Sequence, residues 1–393
     1  MKQHFVFSGI YKRAPVIMIA AGLAIIMVGI VLDHDLVERI WSNLLLNTVY
    51  FNAIALCGVL FIALHTIADS GWQVSIQRIP EAMSMYLPVG ALFMIVILVG
   101  LIFGFHHLYH WARPENPDAL MEMKKIYLNI PFFTLRTLIY FSGWITFALL
   151  LRKISLKQDH NPDTGLLKRS RTVAALFIVF FAITSSTSAW DWLMSIDAHW
   201  FSTLYGWDIF SGLFVSGTAV IIIVTLLLRK AGFMPHVNDE HLHDLGKYLF
   251  GFSIFWAYLW FAQYMLIWYG NIPEETTYFV TRLDGYRELF FINLAINFAL
   301  PFLVLMSRNS KRIPWIMGMV SVVVFAGHWI DFYLLIMPGT MGESAGIGWI
   351  EIGMTAGFSG LFLLVVFIAL SGASLVPEKH PYYEESLDYH TQY

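Results

Sequence analysis

Apolar residues in this chain come in ten long runs separated by short polar stretches, with no period-two alternation anywhere. A hydrocarbon core about 30 Å thick is crossed by about 20 apolar residues in a helix. Runs of that kind lie near 14–32, 48–70, 87–109, 128–151, 172–189, 207–228, 248–269, 288–306, 314–337 and 349–370, the first half of the 48–70 run being the least regular. A closed barrel would need alternating strands of about ten residues, so helices are the remaining way to satisfy the backbone in lipid. The pattern predicts an all-α polytopic membrane protein of about ten transmembrane helices over residues 1–371, followed by a polar tail over 372–393.

Ten spans put both chain ends on one side. Of the 24 Lys and Arg, 17 fall in the end segments and the loops on that side, 6 fall opposite, and Arg136 lies within a span. The positive-inside rule then places both termini in the cytoplasm. The run beginning at Ala14 has no small-residue cleavage site after it and reads as a first span that stays, rather than a signal peptide. The tail is expected to extend over the cytoplasmic face or a partner.

Composition agrees with the pattern and narrows the chemistry. Hydrophobic residues make up 58% of the chain, charged residues 13%, and mean hydropathy is +0.65. A soluble domain carries roughly 25% charged residues. One cysteine, Cys57, excludes a disulfide framework and any zinc or iron–sulfur centre held by cysteines of this chain alone. A net charge of −3 gives no footing for nucleic acid.

A faint duplication is legible. Phe105-His106-His107-Leu108-Tyr109-His110-Trp111 closes the third span before Pro114-Glu115, and Gln263-Tyr264-Met265-Leu266-Ile267-Trp268-Tyr269 closes the seventh before Pro273-Glu274. Ala189-Trp190-Asp191-Trp192 ends the fifth, and His328-Trp329-Ile330-Asp331-Phe332 lies in the ninth. The echoes are 159 and 140 residues apart, each offset by four helices. An even-numbered repeat keeps its orientation. The expectation is two parallel four-helix bundles, helices 2–5 and 6–9, flanked by helices 1 and 10: a first part within 33–171, its end and a loop over 172–206, and a second part over 207–337. Gathering of tryptophan and proline at membrane interfaces gives the plainer account of the same echoes.

Ionisable groups inside a bilayer are costly and mark candidate sites. His65 and Asp69 are four apart near the cytoplasmic end of helix 2, which puts them on one helical face. Arg136 has no acid in its own span. Asp191, Asp197, His199 and Asp208 surround the loop between helices 5 and 6. His328 and Asp331 share a face of helix 9. Asp208, Glu288 and Glu351 open helices, where a carboxylate meets the N-terminal dipole. His110 belongs in the headgroup layer. Asp197 and His199 read equally as wet loop residues or as part of a site, and Asn293 and Asn297 equally as interhelical glue or as functional groups. Gly100/Gly104 and Gly353/Gly357 predict close helix packing. Arg136, Asp191, His328 and Asp331 fall in the outer half of the membrane and His65 and Asp69 at its inner edge, which allows two half-paths for protons, histidine being able to give and take them near neutral pH.

The stretch Trp190-Asp191-Trp192-Leu193-Met194-Ser195-Ile196-Asp197-Ala198-His199-Trp200-Phe201-Ser202-Thr203 resembles the signature after the fifth helix of the NrfD/PsrC-like membrane subunits of alternative complex III, the bacterial quinol:cytochrome c oxidoreductase. The likeness covers the whole chain in helix count and order, and its length is similar to the shorter, ActF-like paralogue. The resemblance implies a complex of the bacterial inner membrane in which quinol is oxidised at the periplasmic side. Electrons would leave through an iron–sulfur subunit and multihaem cytochrome c subunits towards cytochrome c or a terminal oxidase. It assigns the quinol site to an ActC-like paralogue, and to the ActF-like member structure and proton movement, with no cofactor of its own. The loop Trp190, Asp191, Trp192, Asp197 and His199 carries over as a family feature; a quinol pocket does not.

Two other classes compete. A proton-coupled secondary transporter acting alone would be expected to show helices broken at the midplane, whereas the prolines here lie mainly at helix ends. A haem b carrier would need paired histidines at matching depth, for which His106 or His107 with His328 are the candidates.

Overall fold

The computed structural model describes residues 4–32, 36–114, 118–161, 163–342, 346–377 and 379–390. Glu115 of the expected turn after the third span, and Met1 to Gln3, lie outside them. Ten helices are long and apolar enough to cross a membrane. They are α1 (Ile10–Leu32), α2 (Leu36–Ile67), α3 (Arg78–Phe103, interrupted near Met85), α4 (Ile130–Gln158), α5 (Thr164–Trp192), α6 (Tyr205–Lys230), α7 (Asp239–Gly270), α8 (Arg287–Leu305), α9 (Pro314–Met341) and α10 (Trp349–Ser371). All ten expected spans are present in order; the described residues form no named strand, and the protein is an all-α, multi-pass membrane protein.

Helices α2 to α5 pack each on the next, and α5 closes back onto α2; α6 to α9 do the same, with α9 closing onto α6. The rings meet where α2 touches α6 and α9, and where α5 touches α6. These are the two expected four-helix bundles. Helices α1 and α10 flank the bundles together: they pack tightly on each other, and α10 lies against α2 and α3. Gly353, Gly357 and Gly22 allow that approach, and a Cβ built on Gly22 would sit 2.7 Å from the Gly357 Cα.

Several boundaries differ from the hydropathy pattern for identifiable reasons. Helix α2 starts at Leu36, twelve residues before the apolar run, because its polar first turns are buried against partners: Asn43 Nδ2 donates to Glu351 Oε1 at 2.8 Å, and Trp329 Nε1 donates to Asn47 at 3.3 Å. Arg39 grips Glu351 with two bonds of 2.7 Å, and Gly348 N donates to the same carboxylate at 2.8 Å. Glu351 is therefore both helix cap and tie, as its position suggested. Helix α3 stops at Phe103, where Gly104 takes a left-handed φ of +77° as the helix C-cap; Gly104 is a terminator, not a packing glycine. In α8, Pro301 has no N–H to continue the ladder, and the helix widens into a π turn over Ala295–Ala299, with Leu300 N bonding back to Ala295 O.

The chain ends lie on one side, joined by a β-bridge between His4 and Ser374. We call this the terminal side and the other the distal side. The tail does extend over the terminal face. Buried Ser386 bonds Ser75 at 2.7 Å and Trp72 O at 2.7 Å, and Tyr389 O accepts from Asn238 at 2.8 Å.

Candidate functional site

The first bundle holds its ionisable groups in a closed lock. Arg136 on α4 meets Asp191 at the end of α5 through Nε–Oδ2 and Nη2–Oδ1 bonds of 2.8 Å each. Tyr140 donates to the same Oδ2 at 2.8 Å, and Arg136 Nη1 donates to Tyr127 O at 3.1 Å. The guanidinium lies 3.9 Å from the Tyr127 ring and 4.2 Å from the Phe132 ring. The acid that Arg136 lacks within its own helix is thus supplied by the next one. Trp192, one residue on, donates to Thr137 at 3.0 Å and accepts through its carbonyl from Tyr109 at 3.0 Å. A bidentate, stacked and fully bonded pair of this kind fixes geometry and leaves little freedom to exchange protons.

The second bundle is built differently. Asp331 on α9 is buried and among the described residues receives only neutral donors: Asn293 Nδ2 of α8 at 2.8 Å and Trp256 Nε1 of α7 at 3.1 Å. Asn297, one turn along, donates to Asn293 Oδ1 at 2.6 Å, which makes the two amides a relay leading to the carboxylate. His328 lies on the same face of α9 with its Nδ1 3.8 Å from Asp331 Oδ2. Neither ring nitrogen of His328 reaches a hydrogen-bond partner among the described residues. Gly212 of α6 faces this pair closely enough that a Cβ there would lie 3.4 Å from His328 Nδ1 and 3.7 Å from Asp331 Oδ2.

Asp208, one turn before Gly212, is buried with one carboxylate oxygen unpartnered among the described residues. Asp208 and Asp331 line a common cavity of about 30 Å³ with Gln263, Asn293 and Arg282. That is room for one or two waters, each needing roughly 10–15 Å³ of such volume. Asp208 thus opens its helix and also lines the cavity, and Asn293 ties α8 to α9 through Asp331 while Asn297 bonds Asn293. Sequence reasoning did not place Trp256 or Gln263 at this site: Gln263 was read only within the motif that closes the seventh span, and an indole inside an apolar run carries no mark of its own.

Towards the distal side the loop after α5 forms one wall of a wider vestibule of about 360 Å³, lined among others by His110, Asp197, His199, Trp200, Tyr278 and Arg282. Trp200 stacks on Tyr278 with ring centroids 3.9 Å apart. Asp197 Oδ2 is 3.5 Å from Arg282 Nη2. His199 is exposed and bonds Asp118 at 2.9 Å. The Met121 N–H, and then His199, hold the Asp118 carboxyl below its ordinary value. Burial pushes the Tyr278 phenol up. Trp190 lies on α5 beside the lock, its Nε1 buried without a partner among the described residues.

On the terminal side the expected His65–Asp69 pair does not share a helix face. Helix α2 ends at Ile67, and Asp69 sits beyond it at φ +49°, ion-paired with Arg171. His65 is buried, with Nδ1 donating to Phe61 O at 2.8 Å and Nε2 accepting from Tyr248 at 3.3 Å. Both residues do line one small cavity with Gln73, Gln77 and His380. The bonds of His65 lead to Phe61 and Tyr248 and come no nearer to Asp331. Next to that cavity lies a buried cluster that sequence reasoning missed: Arg78 bonds Glu81 at 2.7 Å and Ser155 at 2.9 Å, and it also pairs with Asp159. The Arg78/Glu81 spacing of three was its only signal.

His106 is not placed as a ligand facing His328. Its Nε2 bonds Ile97 O at 2.9 Å and its ring lies 4.8 Å from Trp41, in the first bundle, whereas His328 packs on Trp256 in the second. Among the described residues no group of three or more His, Cys, Asp or Glu is placed to hold a metal ion. No protein-family model matches the chain, and no curated protein matches it.

Proposed function

We propose that this chain is a membrane subunit of a quinol-oxidising respiratory complex of the alternative complex III type, and that its second bundle conducts protons. In this reading it lies in the bacterial inner membrane with both termini in the cytoplasm, the orientation favoured by its Lys and Arg distribution. It stands beside an ActC-like paralogue that oxidises quinol, and holds no redox centre itself. The iron–sulfur clusters and c-type haems belong to partner subunits.

The observation that carries the proton role is the contrast between bundles. Asp191 is neutralised by an arginine, while Asp331 is held by an amide and an indole beside His328 and a water-sized cavity. Buried carboxylates of the second kind are the ones that load and unload protons. The likeness to the family rests on Trp190 to Thr203, which forms the link between the bundles and a wall of the vestibule.

A light affinity tag after the tail, mild detergent extraction and mass spectrometry of the co-purifying chains test the assignment. Recovery of a multihaem cytochrome, an iron–sulfur protein and a larger paralogue supports it; a monodisperse chain free of partners overturns it. One observation favours a second reading, a proton-coupled transporter acting alone: α8 is interrupted by a π turn beside the buried carboxylate relay. That reading requires substrate flux into liposomes from the purified chain by itself.

A further inference from the structure

Arg282 lies between two cavities. It belongs to the last turn of a short helix, Pro273–Gly285, which crosses the distal end of the second bundle. With Tyr278 it lines both the vestibule and the inner cavity that holds Asp208 and Asp331. Its side chain is 4% exposed.

What holds it there is backbone. Nε donates to Leu334 O at 2.9 Å, Nη1 to Tyr278 O at 2.8 Å, and Nη2 approaches Leu335 O at 3.4 Å. The Leu334 carbonyl is free to accept because residue 338, four further along α9, is Pro338, which has no N–H to offer. The guanidinium carbon lies 3.3 Å from the Tyr278 ring centroid, and Trp200 stacks on that ring. The charged or titratable groups that face it include Asp197, His110 and His199 on the vestibule side, Asp208 and Asp331 on the cavity side, and Tyr278 and Tyr205. Among the described residues the one acid bonded to it, Asp197, makes a long contact of 3.5 Å.

We infer that Arg282 is the barrier between the distal vestibule and the buried carboxylates, a cationic plug seated on the carbonyl that Pro338 leaves free. A fixed guanidinium in a narrow, water-poor constriction repels hydronium and other cations, so the inner cavity is closed to them while it is seated. The purpose of the barrier rests on the proton role proposed above, but its existence does not, and the experiment separates the two.

The chain has a single cysteine, so Cys57→Ser gives a clean background, and Gln263→Cys places a thiol in the inner cavity alone. Sealed membrane vesicles bearing the intact chain are exposed to silver ion from the distal side in chloride-free buffer. Surviving thiol is then labelled with a maleimide after denaturation. With Arg282 in place the thiol reacts slowly; Arg282→Ala speeds the reaction at least about tenfold. Pro338→Ala restores an N–H for Leu334, takes an acceptor from Arg282 without changing any charge, and speeds the reaction several-fold. It serves as the test if Arg282→Ala does not fold. Reaction rates equal to the background in the folded variants overturn the barrier. An unchanged proton yield in Asp331→Asn, beside a retained Arg282 effect, removes the proton role and leaves the barrier standing.

Discussion

Asp191 and Asp331 each stand on the fourth helix of a bundle, both buried, yet Asp191 is clasped by both arms of an arginine and Asp331 by uncharged donors. The paired guanidinium fixes the first in place, and the second has no countercharge among its hydrogen-bond partners in the described residues. The first bundle supplies its buried carboxylate with a countercharge, and among the described residues the second supplies amide and indole donors.

The lock in the first bundle should be a stability element. Asp191→Asn or Arg136→Ala leaves a buried group uncompensated and is expected to cost about 3–5 kcal/mol. Replacing both together with apolar residues of similar volume should recover most of the loss. Thermal unfolding of the detergent-solubilised chain reads this directly; single variants as stable as the parent would mean that the pair is not structural.

The contact between α1 and α10 should depend on Gly22. A Cβ there would lie 2.7 Å from the Gly357 Cα, a backbone atom that cannot yield without moving a helix. Gly22→Val is expected to destabilise by about 1–3 kcal/mol through overpacking. A cysteine pair across the same contact should cross-link in the parent and more slowly in the variant.

Docking of the tail should weaken in mild acid. Burial pushes His380 down to about 4 from an ordinary 6.5. Above pH 6.5 the imidazole is neutral whether the tail is docked or free, so docking is complete. As pH falls from 6.5 towards 4, the free tail takes up a proton that the docked one resists, and docking weakens across that window, by about thirtyfold at pH 5. A nitroxide at Asp388→Cys, in the Cys57→Ser background, should show a growing mobile fraction over that range. His380→Phe should flatten the response; the same curve in that variant would assign the effect to other groups.

Much of this was legible in the sequence because hydropathy and membrane thickness leave few alternatives. The ten spans, their order and the two bundles followed from runs of apolar residues and an echo at Asp191 and Asp331. The failures are instructive. Asn43 and Asn47 shortened the expected second helix because hydropathy counts a buried, hydrogen-bonded amide as though it faced lipid. Asp69 left its helix face because a spacing of four has meaning only while the helix continues, and α2 ends at Ile67. Arg282 drew no notice in a polar loop, because what marks it is a carbonyl freed by a proline 56 residues later. Pairings between distant segments, such as Trp256 with Asp331, have no local signature.

The measurement that bears most directly on the account is the proton-to-electron ratio of the purified complex in liposomes, compared between the parent and Asp331→Asn. The substitution keeps the shape of the side chain and its place beside Asn293 and Trp256 but removes the titrating group. Continued quinol oxidation with a lowered proton yield is the predicted result. Oxidation with the parental ratio intact would contradict the account, and Asp331 would then be a structural residue like Asp191.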